Sequence, residues 1–217
     1  MDGAEIQVET VERDLGVLMD AQLKFHEHAA AVVAKASQML AIIKRSFATL
    51  ERTAVPLLYK TMVRPLLQYG ITIWGPFGKV DQKRLERVQR RATQMVGAIK
   101  HLPYEQRQRL RRLDLPSLYY RRRRGDMLTI HQLFHGDMAL SPSKFLTRHT
   151  REQTRGHQRK LQKPRVQTLI RRTSLSSRIV NDWNSLPDSV VSATTANQFK
   201  ARLDRLWINF KYDFPIP

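Results

Sequence analysis

The chain contains no cysteine. Disulfides, thiolate zinc sites and cysteine nucleophiles are therefore excluded together, and the composition suits a reducing compartment. Acidic pairs are missing as well: there is no Asp-Asp, Glu-Glu or Asp-x-Asp, so the adjacent carboxylates that hold two catalytic metals are absent. No glycine-rich phosphate loop and no G-x-S-x-G occurs. No stretch reaches the ~18 apolar residues of a membrane span, and the acidic start "MDGAEIQVETVERDLG" has no signal-peptide character. The seven histidines give one i,i+4 pair, His131 and His135, with no evident third ligand. His26 and His28 would point different ways on a helix. "RGD" at 124–126 falls within a helical pattern and carries no weight as an adhesion motif. The sequence thus predicts an intracellular protein, in the nucleus or cytoplasm with the nucleus favoured. It predicts no catalytic residue, no metal, no cofactor, no small-molecule ligand and no membrane partner.

What is abundant is positive charge. Lys plus Arg is 38 against 19 acidic residues, a net +19 over 217 residues. Residues 81–124 carry 14 basic and 4 acidic side chains, and residues 144–172 carry 10 and 1. The remainder is balanced, so the whole excess sits in two segments. Such an excess favours a polyanion, because each neutralised phosphate releases condensed counterions. A hydrophobic fraction of 41% is enough for a buried core.

Apolar periodicity supplies the expected elements. "IQVETV" and "DLGVLM" read as two strands of a hairpin joined through "ERD". Two strands alone are marginal, so this N-terminus is expected to be poorly packed. Phe25, Ala29, Val32, Ala36, Met39, Ile43 and Phe47 form one helical stripe, with Phe25 and Phe47 in the core. A second helix from Thr53 has the stripe Val55, Leu58, Met62, Leu66 and Tyr69, kinked at Pro65. "YGITIWGPFG" interrupts the pattern around a buried Trp74. A third helix, about 81–98, buries Leu85, Val88, Ala92, Met95 and Ile99 and leaves Lys83, Arg84, Arg87, Arg90 and Arg91 largely off that stripe. Helices are also expected over 104–113, 116–135, about 174–183 and about 195–210, the last carrying Phe199, Leu203, Leu206 and Trp207. Residues 141–172 read as a long irregular or flexible basic connection. Trp183 and Trp207 are expected in the core. In "YYRRRRGDML" the four arginines point around most of a helix, so two should flank the apolar stripe and two project outward. An import address is a further reading of that run.

"DLGVLMDAQLKFHEH", "LYKTMVRPLLQYGITIWGP", "LERVQRRATQMVGAIKHLPYEQRQRLRRLDLPSLYYRRRRGDMLTIHQLFHG", "REQTRGHQRKLQKPRV" and "RIVNDWNSLPDSVVSATTANQFKARLDRL" follow one another in this order. Together they resemble the C-terminal third of non-LTR retrotransposon reverse transcriptases of the jockey-like and chicken-repeat-like LINE kind, over about residues 6–207. The resemblance implies a mostly α fold: a short N-terminal β-hairpin, residues 1–20, like the end of a palm, then a helical thumb-like domain over 21–140. A basic irregular connection at 141–172 and a C-terminal helical region at 173–217 would follow. The catalytic aspartates of that RNA-directed DNA polymerase family have no counterpart here. Gly70 stands where many relatives have cysteine, which suggests a softer helix end.

A thumb grips a template–primer duplex through its backbone with little base readout. The resemblance and the charge pattern together nominate Lys83, Arg84, Arg87, Arg90 and Arg91 for phosphate contact. Arg107, Arg111, Arg121 and Arg122 come next, then a cluster of Arg155, Arg159, Lys160, Lys163 and Arg165. The expected partner is RNA, DNA or their hybrid. Two alternatives stay open: a protein-interaction module, in which a protein surface stands in for the missing palm, and a product of a truncated element without a role.

Overall fold

The computed structural model describes residues 9–47, 53–76, 78–104, 108–149 and 156–213. The fold is mostly helical and starts with one antiparallel hairpin. Its strands are β1 (Val11–Asp14) and β2 (Val17–Asp20), paired Val11 to Asp20 and Asp14 to Val17. The expected connector "ERD" therefore belongs to β1, and the turn is Leu15–Gly16. Both turn residues have positive φ, 44° and 86°, the geometry whose twist matches a two-residue hairpin. Gly16 adopts it freely and Leu15 under strain. Residues 6–8 of the expected first strand lie outside the described residues.

The expectation of a poorly packed hairpin is half corrected. β1 is largely exposed, but β2 is anchored. Val17 is buried and Met19 packs on the core. The Leu18 N–H donates to His28 Nδ1 at 3.1 Å. Asp20 then accepts the N–H groups of Gln22, Lys24 and Phe25 at 2.9, 3.2 and 2.7 Å, turning the chain into helix α1 (His26–Ser46). α1 buries Ala29, Ala36, Leu40 and Ile43, much as its stripe predicts. Phe25 packs at the edge of the core. Phe47 does not join it. The helix ends at Ser46, Phe47 turns extended, and its ring is 45% exposed.

The second helix departs further. α2 (Ala54–Leu58) runs into a π-helical turn at Tyr59–Val63 and on into α3 (Arg64–Gln68), with the Arg64 N–H bonded to the Tyr59 carbonyl. Pro65 lacks an N–H and crowds the carbonyl four residues earlier, and the widened turn accommodates it. More residues per turn shift the buried row to steps of four: Val55, Tyr59, Val63 and Leu67. The predicted stripe is thereby corrected, since Met62 and Tyr69 are exposed and Leu58 and Leu66 pack only at the margin. Gly70 follows at φ 61° as the left-handed link to α4 (Ile71–Trp74). Rather than softening a helix end, it lets the buried Trp74 indole donate to the Tyr69 carbonyl at 2.6 Å. A Cβ there would also sit 3.3 Å from Val17.

α5 (Lys79–Gln94) buries Leu85, Val88 and Ala92, and with them Asp81, Glu86, Gln89 and Thr93. A buried polar group needs a partner. Gln89 accepts from the Tyr59 hydroxyl at 2.8 Å and donates to the Pro116 carbonyl at 3.1 Å. Glu86 accepts from the Tyr104 hydroxyl at 2.6 Å and the Leu118 N–H at 3.3 Å. These bonds tie α5 to the π turn, to the chain on either side of α6 (Gln108–Arg112) and to the start of α7 (Leu118–His135). Ser117 caps α7 by accepting the Tyr120 N–H, and Gly136 closes it at φ 74°.

α7 is the spine. Its Leu118 belongs to a first core built on the hairpin and α1–α5, whereas Tyr120, Met127, Ile130 and Leu133 belong to a second. The second core is completed by α9 (Leu175–Arg178), α10 (Val180–Asn184), α11 (Asp188–Val191) and α12 (Ala196–Leu206), which follow α8 (Leu169–Thr173). Trp183, Phe199, Leu203 and Trp207 are buried there, while Leu206, expected with them, is 43% exposed. The basic connection is irregular as expected, but its described part is fastened. The Asn184 carboxamide pairs with both the N–H and the carbonyl of Leu161 at 2.8 Å, and the Trp183 indole donates to the Arg159 carbonyl at 2.8 Å.

The four consecutive arginines are all half-buried, so the expectation that two project outward is corrected. Each reaches a different element. Arg121 donates to Gln68 at 3.0 Å and Arg122 to the Pro76 carbonyl at 3.0 Å. Arg123 forks onto Asp182 at 2.7 and 2.6 Å, and Arg124 onto Asp204 at 2.5 and 2.8 Å. From the opposite side Arg178 of α9 forks onto Asp126 of α7 at 2.9 and 2.7 Å and also donates to the Thr72 carbonyl at 2.9 Å. Asp126 is nearly fully buried. Asp126→Asn should therefore cost about 3–5 kcal/mol in urea unfolding, the cost of stranding a buried charge. A loss within about 0.5 kcal/mol, the scale of an ordinary surface change, would contradict the clamp.

Candidate nucleic-acid interface

On α5, Lys83, Arg87, Arg90 and Arg91 are all exposed. At 3.6 residues per turn they fall on one side of the helix, opposite Leu85, Val88 and Ala92, and span about 12 Å. The buried ladder of Glu86 and Gln89 fixes the rotation of α5 and so aims this row outward. Among the described residues, Lys83, Arg87 and Arg91 form no ion pair. Arg84 is held by Asp81, 3.0 Å away, and Arg90 lies over the Tyr104 ring at 5.8 Å. A residue not foreseen in the sequence joins the row. Lys44, in the last turn of α1, lines with Arg91, Leu40 and Met95 a groove of about 340 Å³ between α1 and α5. Its only signal was its place off the α1 stripe, and pairing it with α5 required the tertiary contact.

The other nominated residues divide. Arg121 and Arg122 are internal, and burial pushes both guanidinium pKa values down to about 10, helped by Arg64 and Arg124 beside the first and Arg178 beside the second. Their partners are a side-chain amide and a backbone carbonyl, so their nomination as phosphate ligands is corrected. Arg159 is also turned inward, donating to His135 Nε2 at 3.2 Å and to the Val191 carbonyl. Lys160 is half-buried, with its stem against Gly156. Arg111, Lys163 and Arg165 are exposed, and Lys163 donates to Asn181 at 3.3 Å. Arg107 and Arg155 lie outside the described residues. α5 belongs to the first core and Leu161 to the second, so the exposed row on α5 and the described part of the second basic segment around Leu161 are carried by different cores.

Trp74, Trp183 and Trp207 are buried, in keeping with core packing rather than base stacking. Among the described residues no group of three or more His, Asp or Glu is placed to hold a metal ion. No helix among them is long and apolar enough to cross a membrane. His131 and His135 stack at 4.0 Å, and His131 also stacks on Phe199 at 4.4 Å. His131 Nε2 donates to the Ala193 carbonyl at 2.9 Å, and His135 Nδ1 to the His131 carbonyl at 2.9 Å, so the pair serves packing. Comparison with protein-family models, with curated proteins and with solved structures returns no match.

Three buried histidines set a pH dependence. Burial, chiefly, holds His28, His131 and His157 below the ordinary value of 6.5, with Arg13 adding to the effect at His28. Above pH 6.5 both folded and unfolded chains keep them neutral. Below it the unfolded chain takes up protons that the fold refuses, so stability falls as pH drops through that value toward the folded pKa values. The urea midpoint should be lower at about pH 5.5 than at about pH 7.5, and an unchanged or higher acid midpoint would contradict this assignment.

Proposed function

We propose that this chain binds the sugar–phosphate backbone of RNA or an RNA–DNA hybrid without reading its sequence, as the non-catalytic C-terminal part of a LINE-type RNA-directed DNA polymerase. The observation that carries the proposal is the exposed α5 row of Lys83, Arg87, Arg90 and Arg91, extended by Lys44. The acidic side chains near the cationic spine are consumed internally: Asp126, Asp182 and Asp204 each accept an arginine fork. On α5, Lys83, Arg87 and Arg91 form no ion pair among the described residues, which is the condition for counterion-driven binding. Backbone contacts position a duplex and carry no sequence information, and the row offers five exposed cations along one side of the protein. The order of sequence motifs that resembles reverse transcriptase thumbs supports the same reading.

The test is fluorescence anisotropy with an RNA–DNA hybrid, single-stranded RNA and duplex DNA, each at two salt concentrations. Reversing Lys83, Arg87 and Arg91 to Glu should weaken binding on the order of a hundredfold at low salt. The log–log salt slope should shrink by about one for each phosphate contact removed. Wild-type binding with no salt dependence, or a triple variant that binds as the wild type does, would refute the proposal.

A further inference from the structure

Beyond the basic row, one groove carries features that the nucleic-acid reading does not use. It lies between the hairpin, α1 and α3, measures about 480 Å³, and has Leu18, Ala31, Val32 and Leu66 along its wall. Its cations are Arg13 and Lys35, and none of its lining residues is acidic. Strand alternation places Glu12 and Asp14 on the other face of the hairpin from Arg13.

His28 also lines this groove. It is 4% exposed, and its ring stands edge-on to Trp74 at 4.7 Å. Because Nδ1 accepts the Leu18 N–H, the ring proton resides on Nε2, and this buried Nε2 has no hydrogen-bond partner. A desolvated donor without an acceptor is a standing cost, which an incoming oxygen would relieve. Beside it, Leu15 is 83% exposed in a left-handed conformation, braced by the Tyr69 hydroxyl, which donates to its carbonyl at 2.9 Å. Tyr69 itself is 61% exposed.

Charge and position select the occupant. At 100° per residue His28, Val32 and Lys35 face one side of α1, and Ser37, Ala41 and Lys44, which face α5, lie on the opposite side. The groove is therefore separate from the α5 row. Two cations over an aliphatic wall are too few for backbone-driven nucleic-acid binding. A second copy of a chain with net charge +19 is the wrong sign. We infer that the groove is a protein-docking site for an acidic peptide segment that also carries apolar side chains. An apolar side chain seats on Val32 and Leu66, a carbonyl or carboxylate oxygen accepts from His28 Nε2, and carboxylates meet Arg13 and Lys35.

The probe is a short fluorescein-labelled peptide alternating Phe and Leu with Asp and Glu, titrated against the full chain. A peptide with Lys in place of the acids and a single-stranded RNA serve as the other arms. Arg13→Glu with Lys35→Glu should weaken the acidic peptide by about tenfold or more, whereas the Lys83, Arg87 and Arg91 reversal should leave it within about twofold. In ¹⁵N-histidine NMR the peptide should shift the His28 Nε2 resonance. The Arg13 and Lys35 side chains are on the surface, so that double variant leaves the core intact, and circular dichroism checks that it folds. Absence of peptide binding would overturn the inference, as would equal binding by the double variant. RNA displacing the peptide, and itself losing affinity in the double variant, would overturn it in favour of a groove that belongs to the nucleic-acid surface. Failure of RNA binding to the wild type, with the peptide still bound, would refute the proposed function alone.

Discussion

The structure depends on the charged spokes of α7. Consecutive residues of a helix point about 100° apart, so four arginines in succession cannot share one face. Here that geometry is used to reach several elements at once. Arg121 reaches α3, Arg122 the loop before α5, Arg123 α10 and Arg124 α12, while Asp126 receives Arg178 of α9. The guanidinium fork suits this role because it satisfies a carboxylate with two bonds of fixed direction. Two hydrophobic cores that share one helix are thereby held in a defined relation by polar contacts, not by a continuous apolar seam.

That use of arginine changes how the surface should be seen. The densest basic run in the chain is structural, and the exposed basic row lies on α5, whose orientation is set by Glu86 and Gln89 inside the protein. A buried polar ladder on one side of α5 and an exposed cationic row on the other belong to the same helix, so the first dictates where the second points. The groove at the hairpin is the complementary case. There His28 spends one ring nitrogen on the backbone of β2 and leaves the other unmet, while the Tyr69 hydroxyl braces the exposed Leu15 at the hairpin tip.

Much of the fold was legible. Helical stripes with three–four spacing place α1, α5 and α12 to within a few residues, and Trp74, Trp183 and Trp207 are in the core where their neighbours put them. The misreadings have local physical causes. Leu15 accepts a left-handed conformation that favours glycine, so the hairpin turn lay three residues from its expected place. Pro65 is accommodated by a π turn, which moved the buried row from Leu58 and Met62 to Tyr59 and Val63. Phe47 falls just past a helix end, where the chain turns extended and the stripe no longer applies.

The candidate site was legible in part. That Lys83, Arg87, Arg90 and Arg91 face outward follows from the period of α5 alone. Sequence by itself determined the net charge, its confinement to two segments, the absence of paired carboxylates and cysteine, and the faces of the longer helices, because these depend on composition and on contacts within one element. Only the tertiary structure decided which arginines are spent on Asp126, Asp182 and Asp204, that Lys44 stands beside Arg91, and that His28 keeps a buried donor without an acceptor. Each of those facts depends on which groups distant in the chain come within hydrogen-bond reach, and side-chain chemistry does not state its partner until packing supplies one.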